Sequence, residues 1–229
     1  NRNDRSGFMK LSDYVINFII DAGISHVFEL SGGAITHLTD SMGKNLKIKT
    51  ISMHHEQAAA FSAEGYARTS GKIGVAMATS GPGATNLITG IASCYFDSVP
   101  CVFITGQVNT YEFKSENSVR QLGFQETDIV KIVKPIVKES VMVKNAKDIR
   151  YYMERAFYIA NEGRKGPVLL DLPMDIQRTQ INPEKLKGYK PAIKNISIKI
   201  EKIERAMKAL IVKSERPLFL IGGGVRSSG

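Results

Sequence analysis

The residues with chemistry to offer gather at one corner. In Ser52-Met53-His54-His55-Glu56-Gln57-Ala58-Ala59-Ala60, two imidazoles and a carboxylate stand between an apolar run and a segment of small side chains. A carboxyl group shielded from water at such a corner could hold or move a proton near neutrality. The plainer reading is an acid compensating a helix N-terminus, worth about 0.3–1 kcal/mol. Glu64 is a useful contrast. It lies four residues before Arg68 in the same helical stretch, where a surface ion pair accounts for it. Glu56 has no cation at that spacing. His54 and His55 leave a strand as neighbours and so point to opposite faces. With no HExxH pattern and no cysteine close by, they are not assigned to a metal. Nor do they serve a serine nucleophile, because "TSGPG" lacks the GxSxG spacing.

Two glycine-rich turns could cradle a ligand. "TSGPGATN" (79–86) matches neither GxxxxGK[ST] nor GxGxxG. Gly81 and Gly83 permit close backbone approach there, and Pro82 stiffens it. Near the end, "GGGVRSS" follows an apolar run, as a dinucleotide turn would, but lacks the full fingerprint and its acidic partner. These turns leave open a non-catalytic nucleotide-binding α/β module.

The elements that must position these residues alternate. Apolar spacing predicts helices over 10–22, 34–43, 57–69, 84–96 and 146–162. Strands are expected at 26–30, 47–52, 73–79, 101–106, 139–143 and 167–173. "CVFITG" and "PVLLDL" are apolar almost throughout, as strands covered on both faces are. The expected fold is therefore α/β: a doubly wound, mostly parallel sheet with helices on both faces, over 10–178. Residues 1–9 form an N-terminal tail, and Pro183, Gly188 and Pro191 mark a linker over 179–196. A helix at 199–214 and a strand at 217–223 then read as the truncated start of a second α/β domain, over 197–229. Ligands of such sheets sit beyond the carboxyl ends of the strands. The turns "SGGA", "HHEQ", "SGPG" and "GQVN" all fall at that edge.

Composition narrows the function classes. The net charge of +9 invites a nucleic-acid partner. Much of the surplus, however, sits between Arg178 and Arg216, where 11 Lys/Arg face 4 Asp/Glu, and only Tyr189 is there to stack on a base. No nucleic-acid partner is expected. No apolar run approaches the roughly 20 residues of a membrane span, and no secretory leader is evident. The expected setting is cytoplasmic, with Cys94 and Cys101 as reduced core residues. Alanines and glycine at 58, 59, 63, 65 and 67 suggest one close-packed helix face, with another backbone approaching Gly65.

"HHEQAAAFSAEGYARTSGK", "ATSGPGATNLITGIASCYFDSVP", "FITGQV", "GFQETDIV" and "GPVLLDLPMDIQ" occur in this order. Together they closely resemble the pyrimidine-binding domain of thiamine-diphosphate enzymes of the acetolactate synthase type. The resemblance covers residues 10–178 and continues into a central domain at "PLFLIGGG". It implies a carboligase that decarboxylates a 2-oxo acid such as pyruvate and transfers the acyl unit to an acceptor. In that family the glutamate of the "HEQ" corner, here Glu56, hydrogen-bonds N1′ of the aminopyrimidine. The cofactor's own imine then becomes the base for its thiazolium C2–H. The resemblance also implies that Ser31, Gly32, Gly33, Thr79, Pro82, Asn86 and Gln125 bind cofactor. Gln125 joins Glu56 as catalytic, and Phe124, Ser98 and Lys138 stand on the substrate side. The implied cofactors are thiamine diphosphate, Mg²⁺ with ligands outside this chain, and the FAD of the acetolactate synthases. The implied partners are a homodimer or homotetramer with the site across subunits.

This chain departs from the family pattern at two places. "LSGGA" replaces "YPGGA", and the segment between "GQV" and "FQE" is longer. Both bear on the acceptor, for which an activated sugar is an alternative, and on FAD, which the resemblance leaves open for this chain. The GDG and paired-asparagine motifs that hold the diphosphate in the family are not in these residues, so this chain alone is expected to bind cofactor poorly and turn nothing over.

Overall fold

The apolar runs pair as parallel strands because helices cover them on both faces. The computed structural model describes residues 7–114, 119–192 and 200–228. Two units divide the chain, Asn1–Lys190 and Pro191–Gly229. In order, the first contains β1 (Met9–Lys10), α1 (Leu11–Asp21), β2 (His26–Leu30), α2 (Thr36–Gly43), β3 (Lys49–Ser52), α3 (Glu56–Ser70), β4 (Gly74–Ala78), α4 (Pro82–Asn86) and α5 (Ile88–Phe96). It continues with β5 (Cys101–Gln107), α6 (Ile129–Val133), β6 (Glu139–Met142), α7 (Ile149–Asn161), β7 (Val168–Pro173), α8 (Met174–Gln177) and β8 (Gln180–Ile181). The second contains α9 (Ile200–Lys213) and α10 (Gly223–Ser228).

Six strands form the main sheet in the order β3-β2-β4-β5-β7-β6, all parallel. The central strands β4, β5 and β7 are buried at every residue, whereas the edge strands β3 and β6 are not. This explains why the central runs are apolar without alternation. Register sorts the side chains into rows. Val75, Val102 and Val168 align on one face, followed by Met77, Ile104 and Leu170. These pack with α1, α2 and α7 through Leu11, Ile16, Ile19, Leu38 and Met153. The alternate row, Phe28, Ala76, Phe103 and Leu169, meets α3, α5 and α6 on the other face.

That second face is built close. A Cβ on Gly74 would lie 2.0 Å from the Ala63 carbonyl oxygen, and one on Gly90 would lie 2.4 Å from Ala60 Cβ. Ala59, Ala63 and Ala67, spaced by four, form the buried stripe of α3. The expected approach at Gly65 is not found. Gly65 is exposed, and a Cβ there would meet nothing within 4 Å, because it lies on the opposite side of the helix from that stripe. The Glu64–Arg68 ion pair forms at 2.5 Å, but Glu64 is buried, only 5% exposed, instead of lying on the surface. Cys94 and Cys101 are free and buried, their sulfurs 3.6 Å apart. The hydrogen bond between the thiols, and then burial, push Cys94 up.

Other differences from the sequence reading are local. The helix expected over 84–96 is two, α4 and α5, meeting at Leu87. The short α6, capped by the Asp128 carboxylate accepting from Lys131 N, has too few residues to show a period. Met9 and Lys10 pair antiparallel with Ile181 and Gln180, so the described margins of the expected tail and linker include a two-stranded ribbon. Residues 1–6 and 193–196 of those segments lie outside the described residues. In the second unit, none of α9 is buried. The strand expected at 217–223 is not formed: 217–222 join no ladder, and Gly223 opens α10. A strand needs the N–H and C=O groups of a neighbour, and no strand is found among the described residues of this unit.

Candidate active site

The strand order places the site. From β2 the chain moves outward to β3, then returns to the other side of β2 to form β4. The carboxyl ends of β2 and β4 thus flank a topological switch point, where open α/β sheets bind ligands. The two turns leaving those strands touch. Ala34 N donates to Thr79 Oγ1 at 3.0 Å, and a Cβ on Gly32 would lie 2.5 Å from Thr79 Cβ. Gly33 has nothing within 4 Å of such an atom and is open to a ligand.

Glu56 is the first residue of α3, which brings its carboxylate from β3 to the same crevice. The side chain is 7% exposed. Its Oε2 accepts from Asn86 Nδ2 at 2.9 Å, which fixes the group. Among the described residues Oε1 accepts no hydrogen bond, and no salt bridge involves this residue. A Cβ on Gly83 would lie 3.2 Å from that oxygen and 2.7 Å from Thr79 Cγ2. A glycine there keeps the space in front of Oε1 clear. Pro82 starts α4 at this turn and is exposed. His55 is the N-cap of α3, its Nδ1 accepting from Gln57 N at 3.1 Å, while His54 is exposed. No group of three or more His, Cys, Asp or Glu that could hold a metal occurs among the described residues.

Phe124 and Gln125 reach the same edge on the connection from β5 to α6. Phe124 is 81% exposed. Gln125 has φ 55°, a left-handed conformation uncommon for a side-chain-bearing residue. It sits against the Gly81 turn: a Cβ on Gly81 would lie 2.8 Å from Gln125 Cβ. Two of the expected residues are elsewhere. Ser98 precedes β5 and Lys138 precedes β6, so both stand at the amino ends of the strands, across the sheet from Glu56. Ser98 Oγ accepts from Arg164 Nε at 2.7 Å. The Lys138 ammonium donates to the Ile159 carbonyl and, at 2.5 Å, to that of Glu162, at the end of α7. Cations are favoured at helix C-termini, which is reason enough for that position.

Two carboxylates went unnoticed in the sequence. Glu29, 1% exposed, is the penultimate residue of β2, with Ser31 Oγ donating to Oε2 at 2.9 Å and Ser52 Oγ to Oε1. Ser31 therefore faces an acid of its own strand. Glu126 gathers three amides, accepting from Lys114 N at 2.9 Å, Leu122 N at 2.8 Å and Gly123 N at 3.2 Å. An acid inside an apolar strand pattern is a signal for the first; local spacing offers none for the second.

A doubly wound sheet with a buried, half-satisfied carboxylate at its switch point, ringed by glycine turns, defines an α/β cofactor-binding domain. Residues 9–132, from β1 to α6, match the model of the thiamine pyrophosphate enzyme N-terminal TPP binding domain, and the chain belongs to that family. It is 41% identical over 224 residues to the acetolactate synthase large subunit of Buchnera aphidicola from Schizaphis graminum. It is 38% identical over 225 residues to acetolactate synthase isozyme 3 large subunit of Escherichia coli K12. Against the chloroplastic acetolactate synthase 2 of Nicotiana tabacum the identity is 38% over 226 residues. These alignments cover 95–96% of this chain but 38%, 38% and 32% of the respective relatives, so the chain spans about a third of their length.

Proposed function

We propose that this chain is the pyrimidine-binding part of a thiamine-diphosphate-dependent carboligase of the acetolactate synthase type. It acts on a 2-oxo acid such as pyruvate and passes the acyl unit to an acceptor. One observation carries the proposal: the Glu56 carboxylate is buried, held by Asn86 on one oxygen, and clear on the other in front of Gly83. The residues fit an aminopyrimidine, since a flat ring bearing a nitrogen acceptor could approach Oε1 where a side chain at position 83 would block it. When bound, thiamine diphosphate supplies the electron sink for decarboxylation.

This chain's own residues bind, orient and move a proton. With the cofactor bound, Glu56 Oε1 would face the ring's N1′ and could hold or move the proton between them. Asn86 keeps the carboxylate from rotating, because its amide can only donate to Oε2. Thr79, braced by the Ala34 amide, and the Gly32–Gly33 turn line the ring. Phe124 and Gln125 form the side facing the 2-oxo acid. The diphosphate and its Mg²⁺ are held by residues outside this chain, and a second copy completes the site in a homodimer or homotetramer.

The nucleotide-module alternative has lost its footing. Its glycine run required a strand before it, and 217–222 form none. The natural full-length chain, supplied with thiamine diphosphate, Mg²⁺ and pyruvate, is expected to release CO₂ and form a carbon–carbon-coupled product. Failure to decarboxylate pyruvate or any other 2-oxo acid removes the proposal.

A further inference from the structure

The connection between β5 and α6 brings Phe124 and Gln125 to the site, yet neither is anchored by its own side chain in any hydrogen bond among the described residues. Its ends, by contrast, are tied by one amide. Gln107, 1% exposed and the last residue of β5, accepts from Val108 N through Oε1 at 3.1 Å. Its Nε2 donates to the Thr127 carbonyl at 2.8 Å and to Asp171 Oδ2 at 2.9 Å. Both functions of the amide are therefore used, and the start and the end of the connection are joined through one side chain. Val108 N–H can only donate and the Thr127 carbonyl can only accept, so these two groups decide which way that amide points. Asp171, fully buried on β7 beside it, takes the second proton of Nε2. Thr105 Oγ1, donating to Asp171 Oδ1 at 2.7 Å, fixes the carboxyl group in turn.

We propose that Gln107, braced by Asp171, is the positioning residue that ties the two ends of the β5–α6 connection and so holds Gln125 against the Gly81 turn, with Phe124 beside it. The choice of a 2-oxo acid as the kinetic probe rests on the acyl-transfer reading above; the clamp itself does not. Both residues act through the backbone of the connection. A carboxyl group buried for packing alone would not need to sit on an amide that ties two chain ends, because burying such a group costs free energy unless its hydrogen bonds are specific.

Amide hydrogen exchange followed by mass spectrometry on the natural full-length chain tests this directly. Gln107→Met keeps the length and removes both donor and acceptor. It is expected to speed exchange in residues 119–127 by about 10-fold, while residues 49–86 stay at the wild-type rate. Gln107→Leu also removes both donor and acceptor with a different packing shape, and decides the matter if the methionine variant does not fold. Asp171→Asn is the conservative control: its oxygen can face Gln107 and its amide can face the Thr105 hydroxyl, so exchange should stay within about twofold of wild type. With pyruvate, Gln107→Leu should raise KM by about 10-fold and leave thiamine diphosphate affinity unchanged. Unchanged exchange at 119–127 in the folded variants, or equal acceleration at 49–86, overturns the clamp. A loosened connection in a chain whose wild type decarboxylates nothing keeps the clamp and removes the acyl-transfer reading instead.

Discussion

The two faces of the main sheet are packed by opposite means. On the face of α1, α2 and α7 the space is filled by bulk: Leu11, Ile16, Ile19, Leu38, Met42, Met77 and Ile104 are buried to within 2%. On the face of α3 and α5 the space is removed, with Ala59, Ala60, Ala63 and Ala67 drawn against Gly74, Ala76 and Gly90. A bulky core tolerates loss of a methylene by partial collapse. A close-packed one has nothing to give when a methyl is added. Glu56 is the first residue of the helix on the close-packed side. The difference teaches that stability and site geometry are divided between the faces: one supplies most of the buried apolar surface, the other sets where the carboxylate stands.

The largest effect expected is at the carboxylate itself. Glu56→Gln in the natural full-length chain should slow exchange of the cofactor's C2 proton, followed by NMR, by about 10²–10⁴-fold with no loss of melting temperature. Equal rates would detach the close-packed face from chemistry altogether. Next comes the exchange between the faces. Ile16→Ala should cost about 2–5 kcal/mol in denaturant unfolding and leave cofactor affinity unchanged. Gly90→Ala should cost less, about 1–3 kcal/mol from overpacking, offset by about 1 kcal/mol of helix propensity. It should nevertheless weaken cofactor binding in a calorimetric titration, because the new methyl meets Ala60 and pushes α3. The opposite pairing of effects would break the division.

Smaller still is Asn86→Ala, which frees Glu56 Oε2 and should weaken cofactor binding by about 10-fold, the size of one charge-assisted hydrogen bond. The smallest effect concerns Asp171, on the same face of the sheet as Leu169. Burial pushes it up to about 7, against the lowering hydrogen bonds from Gln107 and Thr105, with Asp128 adding repulsion. In the unfolded chain it ionises near 4. Between those values the folded state binds the extra proton, so this group's contribution to stability falls as pH rises from about 4 through about 7 and is level outside that window. Asp171→Asn should remove that part of the slope in melting temperature measured from pH 4 to 8. An unchanged slope would mean that the carboxyl group does not titrate there.

Much of the candidate site was legible because it lies at chain corners. Strand-then-helix patterns put "SGGA", "HHEQ" and "SGPG" at one edge, and period alone does that. Ser98 and Lys138 were expected at the site only through the family resemblance; their place at the amino edge follows from which end of a strand they join. Gly65 was misjudged because helical spacing shows which residues share a face but not which face is covered.

The order of small and large residues along this chain was enough to determine the six strands of the main sheet, the long helices that cover it and the corner that carries Glu56, since period and turn chemistry are local properties. Only the tertiary structure decided that Asn86 holds Glu56, that Gly83 keeps its second oxygen clear, and that Gln107 ties Val108 to Thr127 and to Asp171. Those contacts join residues up to 64 positions apart, and side chains that distant meet only through the strand order of the sheet.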